Sequence, residues 1–152
     1  MASSIDRIVL SNDRVTVQKL RDVGRKLSKN LASSVDKLLE ILDKLELVLS
    51  NLDQDPAKPI QESLVLPMKT LISDELLRHT DDDVKISVTA CLTEIARITA
   101  PNAPYNDEHM KEYLKLMADA FEKLSGVSGR GYEKAITRKN FKDQNILDHA
   151  GP

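Results

Sequence analysis

The chain has 152 residues, enough for one domain with a real core and too few for two comfortable ones. Aromatic residues make up only 3% of it, with five glycines and no tryptophan. Sheets draw on β-branched and aromatic residues and on Gly-rich turns, so this composition argues for helices. The net charge of −2 neither invites nor forbids nucleic acid, and the single cysteine, Cys91, excludes an internal disulfide framework.

No apolar run is long enough to span a bilayer. The opening stretch MASSIDRIVLSNDR lacks a secretory apolar region, and Asp6 and Asp13 argue against a mitochondrial presequence. The default expectation is a cytoplasmic or nuclear protein.

Residues 1–12 are expected to be disordered or frayed. Val15, Leu20, Val23 and Leu27 then mark a sparse helix from about Ser11 to Lys29, weakened by Gly24. The next helix is clearer. Ser33 and Ser34 offer an N-cap, with Asp36 at the capping-box distance from Ser33. Val35, Leu38, Leu42, Leu45, Leu49 and Leu52 follow at three- and four-residue steps, widened by Leu39, Ile41 and Val48. So broad a stripe belongs to a core-facing helix. The run NLDQDPAKP ends it, because the residue before each proline favours extended backbone.

A third helix is expected from about Pro59 to Leu77, with Ile60, Leu64, Met68, Leu71 and Ile72 on one face and a kink at Pro67. Asp81, Asp82 and Asp83 sit where a fourth helix starts, and their charge complements the positive end of its dipole. Its stripe is Val84, Val88, Cys91, Ile95 and Ile98, with Leu92 and Ala96 beside it. The loop TAPNAPYND follows, and Asn106 or Asp107 caps a fifth helix. Met110, Leu114, Met117, Phe121 and Leu124 are its expected buried stripe, with Gly126 as its stop. A basic, weakly structured tail, residues 130–152, carries Arg130, Lys134, Arg138, Lys139 and Lys142 with scattered apolar residues. It is a candidate DNA contact or nuclear signal; a solvated end is the simpler reading.

A helix pair of roughly 40–47 residues is the size of a HEAT repeat. The expected fold is therefore all-α, a HEAT-like α-solenoid fragment of about five or six antiparallel helices, with its helical domain over residues 13–129. The stretch from Asp82 to Ile95 resembles the second helix of such a repeat, where small residues let stacked helices approach and Leu and Ile fill the seam.

A narrower resemblance lies in Glu75-Leu76-Leu77-Arg78-His79, Asp83-Val84-Lys85, Glu94 to Pro101 (EIARITAP), Ala103-Pro104-Tyr105 and Met110-Lys111-Glu112. Ser33-Ser34-Val35-Asp36 and Phe121-Glu122-Lys123-Leu124 with Ser128-Gly129-Arg130 extend it. These residues, over roughly Leu20 to Tyr132, resemble the N-terminal HEAT region of the plant-type precocious-dissociation-of-sisters ("Pds-five") family of sister chromatid cohesion proteins. Two departures stand out. The first residues look unrelated to the family's start, and after Ser-Gly-Arg the family runs on into further apolar repeats where this chain turns polar. The chain thus resembles a truncated member. The resemblance implies a nuclear, non-enzymatic protein that binds the kleisin part of cohesin, regulates sister chromatid cohesion, and supports chromosome segregation and DNA repair. Cohesin subunits are the implied partners, chromatin a further one, and neither a membrane nor a small-molecule substrate is implied.

The residues themselves nominate no catalytic, cofactor or metal site. The Asp81–Asp83 run could hold a metal, but neighbouring residues diverge around a helix start and N-capping explains them better. His79, His109 and His149 are far apart, and Cys91 reads as a small buried hydrophobe. There is no phosphate-binding glycine loop and no nucleophile elbow. Partner-contact residues stay unknown, with Lys85, Arg97 and Lys111 as exposed basic candidates.

Overall fold

Seven helices run through residues 4–125, which the computed structural model describes, with side chains from Asn12 to Glu122. They are α1 (Ser4–Lys29), α2 (Val35–Ser50), α3 (Lys58–Ser63), α4 (Val65–Leu71), α5 (Asp74–Leu77), α6 (Asp82–Thr99) and α7 (Asp107–Ser125). The tail at 130–152 lies outside the described residues.

Helix α1 begins before the sparse apolar spacing signals it, at Ser4. Its buried side chains are Leu20, Val23 and Leu27, whereas Val15 is exposed and Val17 half-buried. Helix α2 starts at Ser34 and not at Ser33: the Ser34 Oγ accepts the Lys37 N–H at 3.2 Å. That places Asp36 one position short of a capping box, and Ser33 instead donates to the Asn30 carbonyl at 2.6 Å, closing the preceding turn.

The third predicted helix is in fact three short ones. Pro67 has no N–H to give the carbonyl four residues back, that of Ser63, and the helix is interrupted at Leu64, one turn upstream of the proline. Pro67 itself falls in the first turn of α4, where a missing donor costs little. It also explains Gly24. A Cβ built on Gly24 would stand 3.2 Å from both Pro67 Cγ and Cδ, so the glycine lets α1 and α4 approach. Helix propensity favours Gly24→Ala by about 0.5–1 kcal/mol, and the rigid proline ring opposes it. The alanine variant is therefore expected within about 1 kcal/mol of the parent. Gly24→Leu must force the helices apart, and is expected to lose about 2 kcal/mol in urea denaturation.

Packing follows a repeat. Helix α1 lies on α2, α3 and α4; α2 and α4 also meet α6; α5 and α7 pack on α6. The cross-chain bonds keep a nearly constant separation. Cys91 Sγ donates to the Leu42 carbonyl across 49 residues, and Arg97 Nη2 to the Leu49 carbonyl across 48. Two contacts with the same offset mean that α2 and α6 run parallel, as equivalent helices of successive repeats do. Helix α1 likewise packs on α4, closest at Gly24 and Pro67, 43 residues apart. The first repeat is thus α1–α2 and the second α3–α4 with α6, the HEAT-like stacking expected of this fold class. The core between them includes Leu38, Leu42, Leu45, Leu49, Val84, Val88, Leu92 and Ile95, all fully buried.

Candidate interaction surfaces

The two loops that follow α2 and α6 are joined edge to edge. Asp55 N–H donates to the Ile98 carbonyl at 3.0 Å, and Gln54 Nε2 to the Ala100 carbonyl at 2.7 Å. Asp55 has φ 55°, the left-handed region that Asp tolerates better than most residues. From the second loop Tyr105 reaches back to α4, where its hydroxyl donates to the Met68 carbonyl at 2.9 Å. That carbonyl would ordinarily take the N–H of Ile72, but α4 ends and Ile72 N–H turns to Thr70. The tyrosine therefore completes the helix end. Burial pushes the phenol pKa well above its ordinary range, with smaller contributions from Cys91 and Tyr113. The ring also meets His109 edge-on, centroids 6.4 Å apart.

Between the loops lies a cleft of about 300 Å³, lined by Asp55, Gln61, Met68, Ile98, Thr99 and Pro104 among others. Its wall mixes thioether and aliphatic carbon with amide, carboxylate and hydroxyl groups.

The basic candidates separate. Arg97 serves the fold: besides its bond to Leu49 it holds Glu94 Oε2 at 2.8 Å. Helix α2 has no basic residue in its last turn, so Arg97 of α6 brings the cation that its negative end favours. Arg97→Ala is expected to cost about 1 kcal/mol, since charge-assisted bonds exceed neutral ones but this side chain is partly solvated. A chemical denaturation midpoint would register it. Lys85 reaches Asp119 Oδ2 at 3.7 Å and so bridges α6 to α7. Lys111 stays on the exposed surface.

Asp81 is the N-cap of α6: its Oδ1 accepts the Val84 N–H at 3.0 Å, and its own N–H donates to His79 Nδ1 at 3.1 Å. Asp82 and Asp83 occupy the first turn. Cys91 is fully buried. Of the two residues offered as the cap of the last helix, Asn106 does it, accepting the His109 N–H at 2.9 Å.

Helix α7 corrects the sequence reading. Its buried side chains are Tyr113, Leu116 and Ala120, with Met110 half-buried against the core. Three residues of the expected core stripe point outward: Leu114, Met117 and Phe121 are 57, 37 and 74% exposed. Leu124 lies outside the described side chains. The apolar arc of α7 is wider than the strip α6 can cover.

Residues 36–137 match the family model described as sister chromatid cohesion protein PDS5. The chain belongs to the PDS5 family. Sister chromatid cohesion protein PDS5 homolog E of Arabidopsis thaliana is 47% identical over 118 residues, covering 78% of this chain and 12% of that protein. Homolog D of the same plant is 50% identical over 103 residues, 68% of this chain and again 12% of the relative. Budding-yeast PDS5 is 34% identical over 113 residues, 70% of this chain and 9% of the relative. This PDS5-family chain thus spans about an eighth of the length of the plant relatives. No solved structure matches it. The family stretch takes in α2 to α7, including the Arg97 contact that joins the two repeats and the Tyr105 contact that closes α4.

Proposed function

We propose that this chain is a nuclear, non-enzymatic cohesin-associated protein that regulates sister chromatid cohesion, in support of chromosome segregation and DNA repair. The observation that carries the reading is the family match over residues 36–137, backed by plant relatives named for sister chromatid cohesion. The non-enzymatic part rests on the work already done by the chemically capable side chains: Asp81 caps α6, Cys91 packs in the core and Tyr105 closes α4. Surfaces remain for binding, namely the cleft between the loops and the exposed strip of α7.

The test is affinity capture with the tagged full chain from nuclear extract, probed for cohesin subunits, with far-ultraviolet circular dichroism confirming the helical fold. Recovery of cohesin is expected. A helical chain that recovers none overturns the reading, and leaves a helical adaptor for another partner or a family member without cohesin activity.

A further inference from the structure

Charge is divided unevenly along this chain. Residues 12–29, the part of α1 with described side chains, hold six basic residues and two acidic ones. Residues 30–125 hold ten basic and eighteen acidic. A nearly neutral total thus hides a cationic first helix on an anionic remainder.

The helix period gathers those cations on one side. Leu20, Val23 and Leu27 turn inward. Arg14, Lys19, Arg21, Arg25, Lys26 and Lys29 all fall within an arc of about 160° on the opposite side, at about 100° per residue. All six are exposed. From Arg14 to Lys29 the face runs for about 22 Å. Asp22 is the one acid within it, and Arg25 holds that carboxylate at 2.9 Å. Arg14, Lys19, Arg21, Lys26 and Lys29 form no ion pair with a described residue. With Gln18 and Pro59, Arg14 and Arg21 also border a hollow of about 490 Å³ beside α3, where the half-buried Asp13 is the acid.

A run of charge is ordinarily just solvated. Here α2, α3 and α4 all pack on α1 and still leave five cations unneutralised. Like charges set this close repel one another, and an external polyanion relieves that.

The make-up of the face selects the polyanion. An acidic protein would need apolar or aromatic anchors among the charges. Val15 is the one large apolar side chain exposed on residues 12–29. Single-stranded nucleic acid is held by bases stacked on aromatics, and residues 12–29 contain none. Duplex DNA asks for neither. Its backbone presents a charge about every 1.7 Å of axis, which lysine and arginine neutralise without reading sequence.

We propose that the exposed face of α1, through Arg14, Lys19, Arg21, Lys26 and Lys29, binds the phosphate backbone of duplex DNA without sequence preference. The proposal rests on charge and exposure and not on the cohesin reading. Helix α1 also precedes the family stretch, which begins at residue 36.

Fluorescence anisotropy of a short labelled duplex with the full chain, over a series of salt concentrations, tests it. With five phosphates neutralised, log K should fall against log salt with a slope of about −4 or steeper. The triple change Arg14→Gln/Arg21→Gln/Lys26→Gln alters exposed positions and keeps good helix formers. It should weaken binding at low salt about tenfold or more and flatten the slope by about 3. Lys37→Gln/Lys44→Gln/Lys115→Gln removes the same charge from exposed positions of α2 and α7, and should leave the slope as in the parent. Circular dichroism checks that both variants keep the helical fold. No binding by the parent, an undiminished slope in the α1 variant, equal losses in the two variants, or tighter binding to polyglutamate than to the duplex would each overturn the proposal. Cohesin is absent from these assays, so this surface can fail while the functional reading stands, and the reverse.

Discussion

Replacing Leu92 by alanine is expected to remove about 3 kcal/mol of folding stability. Leu92 is fully buried in α6, the helix that α2, α4, α5 and α7 all pack against. Truncation loses the transfer free energy of the deleted carbons and leaves a cavity that several helices would have to move together to close. A domain of this size has about 5–15 kcal/mol in total, so a large share disappears with one side chain. Urea denaturation should show a lower midpoint at unchanged slope. Leu47→Ala is the matched control: Leu47 is 60% exposed, and the change should stay within about 0.5 kcal/mol. Equal losses at the two positions would mean that α6 is not the centre of the core.

Tyr105 carries the second large effect. Tyr105→Ala removes a mostly buried ring together with its bond to Met68, and is expected to cost about 3 kcal/mol. Tyr105→Phe isolates the hydroxyl. It strands the Met68 carbonyl, for a loss of about 1–2 kcal/mol at neutral pH. Alkali then separates the variants. The folded chain holds the phenol proton more tightly than the unfolded chain, whose tyrosine titrates near pH 10. A raised folded pKa gives stability that is fully present below about pH 10 and lost as pH rises above it. The loss approaches about 1.4 kcal/mol per pH unit, and only the parent has this group to lose. The penalty of Tyr105→Phe should therefore shrink between about pH 10 and pH 11. A penalty constant over that range would show that the hydroxyl is not held in the native chain.

How much of this could be read beforehand depended on what each element buries. The stripes of α2 and α6 are legible because both helices are packed on more than one side, and apart from Ser87 of α6 their buried positions are apolar. The division of the third helix was half legible. Pro67 announced a break, but the position followed from the Ser63 carbonyl it fails to reach. Gly24 read as a weakness until the Pro67 ring appeared against it. Helix α7 misled because its apolar arc is wide enough for two contacts, and periodicity does not say which half meets α6. The junction of the loops was nearly invisible. Gln54 and Asp55 bond to backbone carbonyls, which every residue has, so no particular partner residue is required. Tyr105 gave the available hint: a lone aromatic behind a proline, in a chain where aromatics are scarce.

The uneven sharing of neighbours has a mechanical consequence. Among the described residues α6 touches four helices, α2, α4, α5 and α7. Close-packed interiors pass a displacement on and do not absorb it. A push on any one of those four helices therefore reaches the other three through α6, which works as the stiff spine of the described stack.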